Sequence, residues 1–324
     1  MEPLEEAVPE RLAQAEIDTA VSVARRITEN IRKAVQVRDE VLEHVTVTML
    51  SEGHILVEDY PGVGKTALAR ALSRSIDCQF ARVQCTADLL PADIIGTQIY
   101  NQRESRFEFR PGPIFANVVL VDEVNRASPK TQSGLLECMQ ERQVTVEAMS
   151  HELARPFLVF ATQNPVEYEG TYPLPEAQVD RFMVRLSLGY PTAAEEAGML
   201  MGHESHDRVM DLEPVADRAE IVDAVETAHR VHASRALREY IVTLLRRTRD
   251  DDRTELGASP RAGLMLLRAA KARALVHGRD HALPDDVQAL ADPVLSHRIM
   301  LAPEAAGVQR SEIIRDAIAA VPAL

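Results

Sequence analysis

The chain has 324 residues, of which 46% are hydrophobic and 27% are charged, a balance typical of a globular protein long enough for two domains. Its formal net charge of −14 argues against a general nucleic-acid or anionic-membrane surface, and 4% aromatic residues without tryptophan leave little for base stacking. No apolar run reaches the length of about eighteen residues needed to span a membrane, and residues 1–16 are acidic. We therefore expect a cytoplasmic protein that begins with a short disordered acidic arm over 1–16.

The first part of the chain alternates helical and strand patterns. Apolar residues recur at helical spacing from Ile17 to about Leu50. The elements predicted next are a strand over 54–58, a helix over 65–76, a strand over 79–85, a buried strand that starts at 117 and ends in two carboxylates, a helix over 129–142 and a strand over 156–162. Strands that alternate with helices predict an α/β fold with a parallel central sheet flanked by helices.

Two other segments, at about 92–110 and 143–154, have the alternation and turn residues of β-hairpins. Beyond residue 190 the pattern changes to helix after helix, with no strand pattern. The helices predicted there are at about 193–202, 216–232, 235–247, 260–277 and 284–297. We therefore predict an α/β domain over 17–190 and a separate small helical domain over 191–324.

A short apolar strand runs directly into a glycine-containing turn that ends in Lys-Thr. Backbone amides at Gly62 and Gly64 can curl around phosphate oxygens, Lys65 can reach the β and γ phosphates of ATP, and the Thr66 hydroxyl can bind Mg²⁺. A helix that starts at Lys65 would also point its positive dipole end at the anion. The pattern predicts a phosphate-binding loop, with an ordinary strand, turn and helix as the alternative.

The loop departs from the pattern G-x-x-x-x-G-K-[ST] at its first position, where Asp59 replaces glycine. The predicted nucleotide-binding residues are Asp59, Tyr60, Pro61, Gly62, Val63, Gly64, Lys65, Thr66 and Ala67, together with Asp122.

The apolar strand that starts at 117 ends in Asp122 and Glu123. Such a run is typical of a central parallel strand, and α/β sheets bind their ligands at the carboxyl ends of these strands. Asp122 would hold Mg²⁺ together with Thr66, and Glu123 would orient and deprotonate the attacking water. A strand followed by an acidic turn or helix cap is the alternative.

Four blocks of sequence in a fixed order resemble the MoxR-type AAA+ ATPases of the helix-2-insert clade. They lie at 112–144, 160–165, 170–182 and 257–262, and the resemblance extends over about 31–322. The most characteristic block contains GPIFAN and DEVNRASPKTQSGLLECMQERQV. The resemblance implies an AAA+ P-loop NTPase with a parallel central sheet flanked by helices and a small C-terminal all-α lid domain.

The same resemblance implies roles for three further residues. Asn164 matches sensor 1, which places an amide near the γ-phosphate, although an Asn before a Pro is often only a turn. Arg181 matches the arginine finger that one subunit supplies to the nucleotide of its neighbour, with a salt bridge to Asp180 or a solvated helix face as alternatives. Arg261 matches sensor 2, and whether it would act within its own subunit or on a neighbour is open.

The hairpin at about 92–110 resembles the helix-2 insert, which would project toward a central pore or client. Its Arg103, Arg106 and Arg110 are either client contacts or ordinary exposed charges. Where the family has a Val-Gly-Gln turn near the adenine, this chain has Gln-Val-Arg at 36–38, so the base contacts stay open.

The resemblance therefore implies a Mg²⁺-dependent ATPase that assembles as a homo-oligomeric ring, expected to be a hexamer, and remodels a client protein. It also implies a chaperone role in maturing protein complexes or inserting metal cofactors, beside a separate partner with a von Willebrand factor A domain. We expect no nucleic-acid partner and no membrane insertion. Two alternatives remain: a nucleic-acid-remodelling motor and a nucleotide-gated scaffold with little turnover.

Overall fold

The structure is a computed structural model that describes residues 12–59, 62–147, 149–164, 171–190 and 208–323. Tyr60 and Pro61 of the predicted phosphate loop, the helix predicted at about 193–202 and residues 1–11 of the predicted arm lie outside these ranges.

Two helices, and not one, occupy the first helical stretch. They are α1 (Gln14–Ala34) and α2 (Asp39–Leu50), separated by extended backbone at Val35. The predicted end of the arm at residue 16 is wrong by three residues, because α1 begins at Gln14. Glu16 stabilises that start, since its carboxylate accepts a hydrogen bond of 2.9 Å from the backbone N–H of Ala13.

The α/β domain continues with a five-stranded sheet, two hairpins and the helices between them. In chain order the elements are β1 (Ile55–Glu58), α3 (Lys65–Ser75), β2 (Phe80–Gln84), α4 (Pro91–Ile95), β3 (Gly96–Asn101), β4 (Arg106–Pro111), β5 (Val118–Asp122), α5 (Pro129–Glu141), β6 (Gln143–Val146), β7 (Met149–Glu152), β8 (Leu158–Gln163), α6 (Glu176–Val179) and β9 (Val184–Leu186). The sheet has the order β2-β5-β8-β1-β9, and every neighbouring pair is parallel. The predicted parallel sheet is confirmed.

The central strands β1, β5 and β8 are buried on both faces of the sheet, which explains their apolar runs, whereas the edge strand β2 is partly exposed. One face packs into a hydrophobic cluster that includes Leu56, Val119 and Val159. The opposite face packs into a second cluster through alternate residues such as Val118 and Leu120. Burial on both sides fixes strand register, because a shift by one residue would exchange the two sets.

The two predicted hairpins are present as antiparallel pairs. β3 pairs with β4, so the predicted insert at 92–110 consists of the short helix α4 followed by a hairpin. β6 pairs with β7 directly after α5. Ile99, Tyr100 and Phe107 of the first hairpin are largely exposed, and the rings of Tyr100 and Phe107 lie 5.2 Å apart.

The C-terminal part is helical, with one small exception. Its elements are α7 (Arg218–Arg230), α8 (Arg235–Arg249), β10 (Thr254–Leu256), α9 (Pro260–Val276), α10 (Pro284–Leu295), β11 (Met300–Leu301) and α11 (Arg310–Ala320). The prediction that no strand occurs here is wrong, because β10 and β11 form an antiparallel pair. These strands have three and two residues, too few for an alternating pattern to be read.

This helical part shares its core with the α/β domain. α1 contacts α3 on one side and α7 and α9 on the other, and α2 contacts α9. One hydrophobic cluster therefore contains Ile27 of α1, Phe160 of the sheet and Leu266 of α9. The predicted separate domain is a lid packed onto the N-terminal helices. No helix of the described ranges has the length and apolar character needed to cross a membrane.

A buried histidine makes the stability of this core depend on pH. His54 accepts a hydrogen bond from the Val159 N–H at Nδ1 (3.1 Å), so its other ring nitrogen, Nε2, donates to the Met139 carbonyl (3.0 Å). Burial lowers the pKa of His54 from 6.5 to about 4. The folded state therefore binds this proton less readily than the unfolded chain, and stability is lost as the pH falls from about 6.5 toward 4.

We predict that lowering the pH from 7 to 5 reduces the free energy of unfolding by about 2 kcal/mol through His54 alone. Urea unfolding at both pH values measures the difference. Between pH 7 and 5, the free energy of unfolding of His54→Gln should fall by about 2 kcal/mol less than that of the wild type. An equal fall in both proteins would contradict the assignment. His297 is also buried with a lowered pKa, so some dependence on pH should remain in the variant.

Candidate nucleotide-binding site

The loop between β1 and α3 has the backbone that a phosphate cradle requires. Gly62 and Gly64 have φ values of +86° and +92°, a region that side chains rarely adopt. A Cβ atom at either position would meet nothing within 4 Å, so the demand for glycine is conformational and the concave side is open. Helix α3 begins at Lys65 immediately after this turn, and its first N–H groups are available to an anion.

The Lys65 ammonium lies within the site and is bound by the chain itself. Nζ donates a hydrogen bond of 2.8 Å to the backbone carbonyl of Asp59. Burial lowers the pKa of Lys65, while the nearby charges of Asp59, Asp122 and Glu123 act in the opposite direction. Lys65 therefore lies close to the acidic end of β5, as the sequence predicts.

Asp122 ends β5 with its side chain almost fully buried. Its Oδ1 accepts a hydrogen bond of 3.1 Å from the Thr162 hydroxyl on the neighbouring strand β8. Its Oδ2 accepts a hydrogen bond of 2.7 Å from Nε of Arg82 on the other neighbour, β2. A carboxylate held from both sides is a preorganised cation ligand whose cation, in this conformation, is the Arg82 guanidinium.

Glu123 has a left-handed backbone conformation with φ of 55°, which is uncommon for a residue with a side chain. Its N–H donates to the Thr162 hydroxyl at 2.9 Å, which holds this conformation. The carboxylate accepts from Gln84 Nε2 at 3.0 Å and lies 3.2 Å from Arg126 Nε. The candidate base is thus restrained by two side chains of its own subunit.

Sequence reasoning missed the side chains that contact this acidic pair: Arg82, Gln84, Arg126 and Thr162. The signal for Gln84 exists only in the sheet, because it pairs in register with Asp122 across two strands distant in sequence. The contact of Arg126 could have been predicted from the sequence, because Arg126 follows Glu123 by three residues within one turn of 3-10 helix.

Asn164 follows β8 directly and is buried. β8 lies between β1 and β5, so Asn164 is placed at the sheet edge between the phosphate loop and the acidic pair. This agrees with the predicted position beside the carboxylate strand.

Asp180, the alternative partner predicted for Arg181, is occupied elsewhere. Its Oδ1 accepts a hydrogen bond of 2.7 Å from Nε of the buried Arg298, and its Oδ2 lies 4.0 Å from Nε of Arg261. Across the part of the chain that the structure describes, no hydrogen bond or ion pair engages the Arg181 side chain. A salt bridge to Asp180, one of the two alternatives to the finger role of Arg181, is therefore absent from the described residues.

Arg261 lies in the first turn of α9, against the α/β domain. Its Nη1 is 3.5 Å from Oε1 of Gln140 on α5, and its nearest carboxylate is that of Asp180. In this conformation it is engaged with α5 and with the segment that carries Arg181.

The remaining loop residues contribute little more than backbone. The Val63 side chain is buried in the hydrophobic core, and Ala67 packs against the same cluster. The carboxylate of Asp59 is directed toward residues 187–189 and not into the phosphate cradle. Arg38, at the predicted adenine turn, donates to the carbonyl of Ser187 at 2.9 Å, which places that turn beside the same segment.

Within the described ranges no group of three or more His, Cys, Asp or Glu side chains is arranged to hold a metal ion. Mg²⁺ in nucleotide sites needs fewer protein ligands, because it keeps waters and binds phosphate oxygens with one or two side chains. A buried carboxylate at Asp122 and a hydroxyl at the start of α3 fit that chemistry.

Comparison with known proteins gives the same architecture. The family model described as "ATPase family associated with various cellular activities (AAA)" matches residues 54–184, and the AAA lid domain model matches residues 246–317. A crystal structure of a "putative ATPase" from Cytophaga hutchinsonii is similar, with a TM-score of 0.88 and 37% identity, covering 96% of this chain and 98% of that one.

Two curated relatives match most of the chain. The "Uncharacterized protein YeaC" of Bacillus subtilis is 50% identical over 275 residues, which cover 84% of this chain and 86% of that protein. "Chaperone MoxR1" of Mycobacterium tuberculosis is 40% identical over 311 residues, covering 92% of this chain and 81% of that protein. From these matches, the chain belongs to the MoxR family of AAA+ ATPases.

Proposed function

We propose that the chain is a Mg²⁺-dependent ATPase whose active sites form between the subunits of a homo-oligomeric ring, expected to be a hexamer. One observation carries this proposal: Lys65, Asp122, Glu123 and Asn164 converge at one sheet edge, while Arg181 has no partner in the described parts of its own chain. A site complete except for its arginine is what an interface site requires.

In this proposal the residues divide the chemistry as follows. The amides around Gly62 and Gly64 bind phosphate oxygens, and Lys65 leaves the Asp59 carbonyl to neutralise the β and γ phosphates. Thr66 and Asp122 would hold Mg²⁺, which supplies charge neutralisation on the phosphates. Glu123 orients and deprotonates the attacking water, and Asn164 positions the γ-phosphate and that water.

In this proposal, two carboxylates of the site are restrained by side chains of their own chain until nucleotide binds. Arg82 is bound to the Asp122 carboxylate, which would also hold Mg²⁺, so the two cations would compete for one carboxylate. Gln84 and Arg126 hold the Glu123 carboxylate, which must leave them to act as a base. We infer that turnover requires rearrangement of both pairs.

Arg181 would stabilise transition-state charge on the nucleotide of the neighbouring subunit. Arg261 and Arg181 both lie near Asp180, so the lid helix α9 and the finger would move as neighbours. Whether Arg261 serves its own nucleotide or the next one is left to experiment.

The client role rests on the insert hairpin and on the relatives. Exposed Ile99, Tyr100 and Phe107 give this hairpin an apolar surface, which is a feature of protein-binding sites. A relative is named a chaperone. We propose that ATP turnover remodels a client protein complex, with metal-cofactor insertion and a separate partner carrying a von Willebrand factor A domain as the finer hypotheses.

A nucleotide-gated scaffold is the second candidate. It is favoured by the contacts that restrain Glu123, because a base that stays paired with Gln84 and Arg126 would bind ATP without cleaving it. A single-turnover measurement separates the two: decay of bound ATP within minutes supports the ATPase, and ATP that persists for hours supports the scaffold. A nucleic-acid motor would be revealed by ATPase activity stimulated by DNA, which we do not expect from a chain of net charge −14.

We predict that Glu123→Gln retains ATP binding but loses at least about a hundredfold in ATPase rate, the lower end of what a general base contributes. Lys65→Ala should weaken ATP binding itself, because it removes the cation that contacts the phosphates. Calorimetry with ATP and Mg²⁺ gives affinity, and phosphate release gives rate. Equal turnover by wild type and Glu123→Gln would show that another group is the base.

We predict that Arg181→Ala abolishes turnover with little change in ATP affinity, because the finger acts on a neighbouring site. Arg25→Ala is a matched control, because the exposed Arg25 side chain makes only a long ion pair, of 4.0 Å, with Glu29 of the same helix. Mixing Arg181→Ala with Lys65→Ala subunits tests the geometry, because an intact site then forms wherever a Lys65→Ala subunit offers its finger to an Arg181→Ala neighbour. No recovery of activity in mixed assemblies would contradict a finger that acts between subunits.

The same mixing decides how Arg261 acts. If it serves its own nucleotide, Arg261→Ala and Arg181→Ala subunits should complement each other in mixed assemblies. If both arginines act on the neighbouring site, every junction of that mixture lacks one of them and activity should not recover. Recovery of Arg261→Ala by Lys65→Ala subunits would assign it to the neighbouring site.

A further inference from the structure

Asp59, the residue that replaces the first glycine of the phosphate loop, has a defined set of partners. Its side chain is buried, and its carboxylate accepts hydrogen bonds from the Ser187 hydroxyl (3.0 Å) and the backbone N–H groups of Leu188 and Gly189 (3.4 Å for the latter). These donors lie in the segment that leaves β9 and leads toward the lid. The loop and this connection are therefore joined through one side chain.

The chemistry of these contacts requires a carboxylate. A buried carboxylate loses its hydration, and three donors replace it with charge-assisted hydrogen bonds. Leu188 is itself buried, so without Asp59 its N–H would be left without an acceptor in this arrangement. Glycine, which the general loop pattern has at this position, would offer no side chain to bind them.

Asp59 also contacts the residue that would bind phosphate. Its backbone carbonyl accepts a hydrogen bond from the Lys65 ammonium, while its side chain binds residues 187–189. One residue therefore contacts both the lysine and the connection to the lid. The adjacent Glu58 supplies a second tether, since its carboxylate lies 3.1 Å from Nη1 of Arg185. Arg185 in turn donates to Ser296 of the lid at 3.3 Å.

We propose that Asp59 is a positioning residue that fixes residues 187–189 to the phosphate loop, so that the recruitment of Lys65 by phosphate is transmitted to the connection with the lid. This rests on the proposed binding of ATP. When Lys65 leaves the Asp59 carbonyl, residue 59 loses a restraint on its backbone while its side chain still holds the connection. Binding of nucleotide then changes the protection of the amides at 188 and 189.

Hydrogen exchange of the full-length protein, read by mass spectrometry on peptides that span 185–190, tests the contact without nucleotide. We expect Asp59→Ala to accelerate exchange of the Leu188 amide by about tenfold or more, the loss of a hydrogen bond to a charged acceptor. Asp59→Asn keeps one acceptor oxygen, so its exchange rate at the Leu188 amide should lie between those of the wild type and Asp59→Ala. Ser187→Ala removes a single donor and should change the Leu188 amide less than Asp59→Ala does.

Asp39→Ala is the matched control, because Asp39 is an exposed aspartate paired with Arg32 and its loss should leave exchange at 188 and 189 unchanged. If Asp59→Ala does not fold, as judged by circular dichroism, Asp59→Gly replaces it, since that variant restores the residue of the general loop pattern. Exchange within twofold of the wild type in the side-chain-deleted variant would overturn the proposal.

The transmission is tested by adding a non-hydrolysable ATP analogue with Mg²⁺. In the wild type we expect exchange across 185–190 to change on binding, and in Asp59→Ala that change should be lost or reduced at least about threefold. An equal response in both proteins overturns the coupling. Calorimetry on the wild type keeps the two hypotheses apart: absence of nucleotide binding contradicts the proposed function, while the nucleotide-free exchange still judges the contact.

Discussion

The hydroxyl of Thr162 is the contact on which the geometry of the acidic site depends. It donates to the Asp122 carboxylate and accepts from the Glu123 N–H, so it fixes one side chain and one backbone in a single place. Glu123 is held in a left-handed conformation, and this places two adjacent carboxylates in different directions. The Asp122 carboxylate contacts Arg82 of β2 and Thr162 of β8. The Glu123 carboxylate contacts Gln84 and Arg126 instead. Two neighbouring residues can thus take the separate tasks of cation ligand and base.

That hydroxyl is rigid because the strand that carries it is buried on both sides. β8 lies in the middle of the sheet, with Phe160 in one hydrophobic cluster and Ala161 in the other. The cluster that contains Phe160 extends from the sheet into the N-terminal helices and the lid. The acidic part of the site is consequently built on buried central strands, while the lid shares the core of one cluster and is positioned by packing. Precise placement of a reacting group requires support of this kind.

Motif spacing in the sequence was sufficient for the fold and for the residues that follow β1, β5 and β8. It was not sufficient for the contacts between strands, because Arg82 and Gln84 approach the acidic pair only when β2 pairs with β5. β9 was also missed, since three residues paired only with β1 give no periodic signal. The break at Val35 and the pairing of β10 with β11 have the same cause, which is that short extended segments are decided by tertiary contacts. Asp180 is the clearest case, because its partner Arg298 is 118 residues away and a nearer arginine is the obvious guess.

Three charged groups of the candidate site each have a substitute partner within their own chain, and this has an energetic consequence. Lys65 is bound to a carbonyl, Asp122 to Arg82, and Glu123 to Gln84 and Arg126. In the proposed function, ATP and its cation would replace these existing hydrogen bonds, so only the difference in free energy between the two sets of contacts would contribute to affinity. Arg181 differs, because no side-chain contact within the described residues competes for its guanidinium. In the proposed assembly, a neighbouring subunit would engage Arg181 without displacing any contact among the described residues. We infer that nucleotide would then favour assembly, while release of the other three groups would set the threshold for turnover.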